Sequence, residues 1–172
     1  IPVGSAADPE GKAGLAHITT SMLDEGAGKR GALELARAVD FLGARLATFT
    51  TTDTSRVVMS VMKKNATAAF EILGDVVVRT RFDAPEWKRA HDLWENDLKQ
   101  RASDPGSVLQ VVSRAVLFGE KHPYGHPVEG FAETAKKTSL ADAKSFYADA
   151  WRPDHATIVV VGGRVRSVVA SG

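Results

Sequence analysis

Residues Ala13–Gly26 read AGLAHITTSMLDEG. The stretch has a glycine at its second position, sets apolar Leu15, Ala16 and Ile18 around one histidine, and runs into the turn-like DEGAGKRG. This predicts a short helix starting near Gly14. Positions i and i+4 share a helix face, so His17 and Ser21 stand one above the other. Zinc hydrolases use that spacing. In the inverted motif H-x-x-E-H the two histidines bind the metal, and the glutamate before the second activates the metal-bound water. In this frame His17 is present, Thr20 stands where the base would be, and Ser21 stands where the second ligand would be. A threonine hydroxyl does not take a proton from water near neutral pH as a carboxylate does. A neutral serine hydroxyl is a poor zinc ligand beside imidazole. Taken alone, such a histidine is more often a satisfied structural residue than a ligand.

Composition narrows the class. The chain has 172 residues, 44% hydrophobic and 25% charged, as in one ordinary globular domain. Lys and Arg total 22 against 21 Asp and Glu, a formal net charge of +1, which gives no reason to propose nucleic acid or an anionic membrane as partner. No apolar run is long enough for a membrane span. The start, Ile1-Pro2-Val3-Gly4, has neither an initiator methionine nor a signal-peptide pattern, so a processed product or a piece of a longer protein is expected. Zero cysteines exclude disulfides and thiolate zinc sites but do not decide between cytoplasm and periplasm.

Outward from the opening stretch, Leu35, Ala38, Val39 and Leu42 follow a helical period that Gly43 should end. ARLATFTTTDTSRVVMSVMK (Ala44–Lys63) is rich in Thr and Val and predicts two strands joined by a hairpin around Thr52–Ser55. Ala66, Ala69, Phe70, Leu73 and Val77 form a further helical stripe. Asp83 and Glu86, with Pro85 in the first turn, predict a helix start. SDPG (Ser103–Gly106) interrupts that helix, and another should follow to about Phe118. GEKHPYGHPVEG reads as a loop, Ser139 with Asp142 as a second capping box, and HATIVVVGG (His155–Gly163) as a buried-type strand. Helices and strands mix without βαβ alternation, so the fold expected is α+β.

GLAHITTSML resembles the GLAHFLEHML segment of the pitrilysin and mitochondrial processing peptidase family, also called the insulinase family. GSAADPEGKAG looks like that family's lead-in. FLGARLATFTTTDTS is similar to its lGg-x-x-N-A-x-T-x-x-D-x-T hairpin, HPYGHPVEG to its HPYGxPxxG loop, and FYADAWRPDHATIVVVGG to its FYxxxYxPxNaxlvvvGd strand entry. Order and spacing match from about Gly4 to Gly163.

The resemblance implies a two-layer domain, mainly an antiparallel sheet with helices on one face. It implies one processing-peptidase-like N-terminal domain over residues 1–163, lacking its first strand or strands, with 164–172 an unassigned tail. The family's third zinc ligand is a glutamate eight positions before a proline. Here that position is Asp97, one methylene shorter, and the supporting glutamate seven positions earlier corresponds to Ala90. His17 and Asp97 are thus residual metal candidates, while Thr20, Ser21 and Ala90 are degenerate positions. No catalytic residue and no zinc are expected. Degenerate family members pair with an active zinc subunit and complete a peptide chamber. The leading expectation is a non-catalytic subunit of such a heterodimer, or a homodimer, acting with peptide substrates, in a bacterial cytoplasm or periplasm.

The strand in LATFTTTDTS lies along the cleft in that family and pairs with extended peptides, which makes Ala47, Thr48, Phe49 and Thr50 peptide-binding candidates through their backbones. Ala47 replaces the family's Asn, and an ordinary Thr-rich strand is the plainer reading. Two alternatives from other classes are a metallohydrolase with an unorthodox site on His17 and Asp97, and a stand-alone peptide-holding or structural protein. His122 and His126 lie four apart, but Pro123 and Gly125 between them favour loop-shaping over metal binding. His91 beside Trp94 reads as a core-edge residue. Ser21 with His17 lacks the orienting acid of a serine hydrolase, and GGRVRSVV lacks phosphate-loop spacing.

Overall fold

The computed structural model describes residues 1–162. Seven helices, α1 (Leu15–Ser21), α2 (Ala32–Phe41), α3 (Ala66–Val78), α4 (Ala84–Arg101), α5 (Pro105–Phe118), α6 (Ala132–Ala135) and α7 (Leu140–Ala150), accompany two antiparallel hairpins among these residues. One hairpin pairs β1 (Gly26–Ala27) with β2 (Arg30–Gly31), and the other pairs β3 (Arg45–Thr50) with β4 (Ser55–Ser60). The α+β class, the antiparallel pairing and the hairpin position are as the residue pattern predicts, with the strands forming two small sheets. No helix among the described residues is long and apolar enough to cross a membrane.

The β3–β4 hairpin presents two different faces. Leu46, Val57 and Met59 pack against the core, whereas Phe49 and Val58 on the opposite face are about half exposed. This is the period-2 alternation of a half-buried sheet. Helices α1, α2 and α3 lie against this hairpin, and α1 also packs on α4 and α7. The core gathers Ile18, Met22, Leu23, Leu35, Val76 and Trp94 around α1.

Local signals explain most boundaries. Gly43 ends α2 with φ 58°, a backbone state that costs glycine little, and its N–H donates to Asp40. Ser139 and Asp142 form the expected capping box on α7, the Ser139 Oγ accepting from the Asp142 N–H at 3.2 Å while the Asp142 carboxylate accepts from the Ser139 N–H at 2.7 Å.

Three expectations need correction. Helix α4 begins after Asp83, but that carboxylate accepts from Arg81 Nε at 2.7 Å instead of capping the helix. On α3 the buried residues are Ala69, Ile72, Asp75 and Val76, so the buried face is rotated away from Phe70, which is half exposed. Asp75 lies on that buried face and pairs there with Arg30 and Arg79. The expected strand at 155–163 is not a strand over its described part. Residues 156–162 take no regular structure, and Ile158, Val159 and Val161 are largely exposed. An apolar run is buried as a strand only where neighbours pair its backbone and cover its faces, and no described strand does so. Gly163 and the tail 164–172 lie outside the described residues.

Candidate functional site

Helix α1 is buried on nearly every side. Leu15, Ala16, Ile18, Thr19 and Thr20 are buried, while His17 and Ser21 form the half-open strip. Its start is built by two devices. Gly14 takes φ 96°, and a Cβ there would stand 2.6 Å from both the Glu129 carbonyl oxygen and Trp94 Cζ2. Only glycine combines that conformation with so close an approach. The Asp8 carboxylate then accepts from the N–H groups of Gly14 and Ala16, each at 2.7 Å, and supplies partners that the first helical turn lacks. Burial pushes the Asp8 carboxyl up to about 7, against the opposing pull of those N–H groups.

The His17 ring lies 6.5 Å from that of Trp94. Burial lowers the His17 pKa, while Glu129 raises it, Arg101 lowers it and Asp97 raises it, in decreasing order. Arg101 pairs with Glu129 at 2.8 Å and also donates to the Gly130 carbonyl oxygen. An arginine–glutamate pair therefore contributes to the electrostatic environment of the histidine. Trp94 Nε1 donates to the Glu129 carbonyl at 2.8 Å and fastens the same loop to α4.

At the other motif positions, Ser21 Oγ donates to the His17 carbonyl oxygen at 3.0 Å, a bond within the helix. Thr20 is buried, and its Oγ1 finds no hydrogen-bond partner among the described residues. Ala90 is half-buried against the core, and Asp97 is exposed on α4. Glu95 faces along its own helix toward His91 at 3.6 Å and Lys99 at 3.9 Å. His91 packs on Trp87 and Trp94 and has Nε2 2.9 Å from the Ala135 carbonyl oxygen, as a core-edge residue should. His122 accepts from the Tyr124 N–H at 3.1 Å in the loop.

This donor set does not fit a catalytic zinc. Such a zinc takes three protein ligands and an open position. Here the motif positions supply one imidazole, a hydroxyl already donating to the helix and the exposed Asp97, while the nearby Glu129 is paired with Arg101. No group of three His, Cys, Asp or Glu side chains suited to a metal ion occurs among the described residues.

The strand beside α1 keeps its own geometry. Ser55 and Ile1 exchange both backbone bonds, Ile1 N to Ser55 O at 2.9 Å and Ser55 N to Ile1 O at 3.2 Å. The backbone of Ser55 therefore points away from β3. Antiparallel pairs alternate between bonded and non-bonded, so its partner Thr50, and with it Thr48 and Leu46, also direct their N–H and C=O outward. Ala47 and Phe49 face β4 in the same alternation. The outward groups of Leu46, Thr48 and Thr50 have no backbone partner among the described residues. Leu46 shares the outward parity of Thr48 and Thr50, which follows from the β3–β4 hairpin register and was not legible in the residue pattern. Thr50 Oγ1 lies 3.4 Å from the Ala16 carbonyl oxygen, which joins this edge to α1.

The family model of insulinase, peptidase family M16, matches residues 1–124. The chain belongs to that family. An uncharacterized zinc protease of Mycobacterium bovis is 28% identical over 162 residues, covering 94% of this chain and 37% of that protein. Subunit 1 of the mitochondrial cytochrome b-c1 complex of Caenorhabditis elegans is 28% identical over 171 residues, covering 98% of this chain and 36% of that protein. Among solved structures, an inactive domain of peptidase M16 from Pseudomonas fluorescens superposes with a TM-score of 0.78 at 24% identity, covering 84% of this chain and 35% of that one. A Helicobacter pylori protease gives 0.83 at 20% identity, covering 88% and 36%. These structural likenesses concern the fold. The M16 chain thus spans little more than a third of the length of these relatives, and the resemblance read from its motifs is borne out.

Proposed function

We propose that this M16 chain is the non-catalytic partner, or the N-terminal part of one, in a heteromeric zinc peptidase, where it helps to form the peptide chamber. The observation that carries this reading is α1 itself. The helix is intact, capped and buried, and its open strip still carries His17. The base position is a buried threonine and the second ligand position is a serine bonded to its own helix. Retaining the scaffold while losing the base and a ligand fits a role in shape and binding, because zinc hydrolysis needs both the ligand count and a proton acceptor. On this reading the chain takes up no zinc of its own.

The outward backbone of Leu46, Thr48 and Thr50 supports a specific way of holding peptide, the addition of an extended segment to β3. Ala47 and Phe49 would then contribute by shaping the exposed face of the strand.

The test is hydrolysis of unfolded peptides by the purified chain, alone and mixed with an M16 subunit from the same genome that carries H-x-x-E-H. No turnover alone, and faster turnover in the mixture than by that subunit alone, is the expected result. Chelator-sensitive turnover by the chain alone would overturn the non-catalytic reading. A mixture that neither co-elutes nor changes rate would overturn the partnership.

A further inference from the structure

Among the described residues, Lys12, Arg30, Arg101 and Arg114 are the half-buried cations, and all but Arg114 are in ion pairs. Its guanidinium makes one long hydrogen bond, Nη1 to Thr52 Oγ1 at 3.4 Å. Arg114 therefore brings a full charge with unused N–H donors to a partly buried site, where an anion could accept from them. Arg114 lines a pocket of about 90 Å³ with Arg101, Val111, Pro127, Val128 and Glu129. Arg101 and Glu129 are already bonded to each other at 2.8 Å, which leaves Arg114 as the uncompensated charge. Ser107 and Gln110 add polar groups to its wall, and Val111, Pro127 and Val128 give it one apolar side against which the methylenes of a side chain ending in an anion can lie.

The position of the pocket is also informative. Arg101 and Glu129 on its wall are the same groups whose charges act on His17. On another wall, Arg114 reaches Thr52, two residues beyond the end of β3. The pocket therefore lies between α1 and the end of the strand whose outward backbone is unpaired among the described residues.

We propose that the Arg114 pocket takes the carboxylate side chain of an extended peptide held along β3. The inference rests on the reading of β3 as a peptide-binding edge, and it adds a substrate class: segments with an aspartate or glutamate at one fixed position. Arginine is suited to this task because its planar fork offers two parallel N–H bonds to a carboxylate.

The test uses the whole chain and labelled nine-residue peptides carrying one glutamate at successive positions of a neutral Ser/Thr/Val sequence, each with its glutamine counterpart. Fluorescence anisotropy reads affinity. At one glutamate position we expect about five- to tenfold tighter binding than with glutamine, as one charge-assisted bond at a half-exposed site would give. Arg114→Gln should bring the two within twofold while leaving glutamine-peptide affinity unchanged, which also shows that the variant is folded. Arg114→Lys should keep part of the preference. Saturable but equal binding of both peptides would remove the Arg114 subsite and leave the β3 reading in place, as would a preference that survives Arg114→Gln. No saturable binding of any peptide would remove the β3 reading. In that case, titration with N-acetylglutamate amide, followed at the Arg114 Nε–H by NMR, decides the pocket separately. A saturable shift absent with N-acetylglutamine amide supports it, and no shift overturns it.

Discussion

Ser21 Oγ donates to the His17 carbonyl oxygen at 3.0 Å, so the residue at the second ligand position of α1 spends its hydroxyl on the helix backbone one turn below. The two side chains nevertheless share the half-open strip of α1. Ser21→His combined with Asp97→Glu should therefore restore metal binding: two imidazoles four residues apart plus a longer carboxylate from α4. We expect about one zinc per chain by plasma mass spectrometry, against none in the parent chain. Peptide hydrolysis should stay absent, because Thr20 provides no base. A double variant without zinc would show that α1 and α4 are too far apart for a shared ligand set.

Thr20 makes a second prediction. Its hydroxyl is buried without a partner among the described residues, and an unsatisfied buried hydroxyl costs about 1–3 kcal/mol. Thr20→Val keeps the shape and removes that cost. The variant should be more stable by about 1 kcal/mol, a rise in Tm of roughly 2–4 °C for a chain of this size. An unchanged or lower Tm would mean that the hydroxyl has a partner.

Asp8 holds the start of α1 from outside the helix. Asp8→Ala leaves the Gly14 and Ala16 N–H groups unpaired and should cost about 1–3 kcal/mol in urea unfolding. The charge acts separately. Burial raises the folded carboxyl to about 7 from an ordinary 3.8, so between those values the folded state binds more protons than the unfolded state. Stability contributed by this group therefore falls as pH rises through that window. Asp8→Asn should abolish that slope, and its Tm relative to the parent should rise between pH 4.5 and 7.5. A difference that does not vary with pH would refute the assignment.

At Asp142 the sign is opposite. Lys12 and Ser139 hold its carboxyl down to about 2 from an ordinary 3.8. The Lys12 ammonium lies 2.8 Å away, and Ser139 donates through both N–H and Oγ at 2.7 Å. The stabilisation is present above about 4 and is lost as pH falls toward 2. The pair is about a third exposed, so solvent screens the charge and the cap is the larger part, about 1 kcal/mol. Asp142→Asn should lower Tm at pH 7 and match the parent near pH 2.

Features fixed by neighbours in the chain were legible from the residues alone. The Ser139–Asp142 box, the stop at Gly43, the hairpin at Thr52–Ser55 and the interruption at SDPG are set within a few residues. Competition between distant groups was not legible. Asp83 was expected to cap α4, but Arg81 captures it, and the buried face of α3 includes Asp75, which pairs with Arg30, 45 residues away. The run from Ile158 to Val161 signals a strand by composition, yet its pairing depends on neighbours that no local rule supplies. At the site, the threonine and serine at the expected base and second-ligand positions were legible once the motif resemblance set the frame. The Arg101–Glu129 pair, 28 residues apart, was not, and neither was the Asp8 cap, which needs the loop before α1 to fold back onto the helix start.

The edge of β3 offers a test that separates backbone from side chain. Thr48 points its N–H outward, so Thr48→Pro removes that donor and leaves the bonds between β3 and β4 intact. Ala47 points its N–H toward β4, so Ala47→Pro breaks a ladder bond. Thr48→Pro should fold with a Tm within a few degrees of the parent, about 1 kcal/mol for the ring's fixed φ. Ala47→Pro should lose about 3 kcal/mol or more. If an extended peptide adds to this edge, Thr48→Pro should weaken its binding about tenfold, since one backbone bond is lost and the ring crowds the incoming strand. Unchanged binding by a folded Thr48→Pro chain would place the peptide elsewhere, and equal destabilisation by the two prolines would show that the strand parity is wrong.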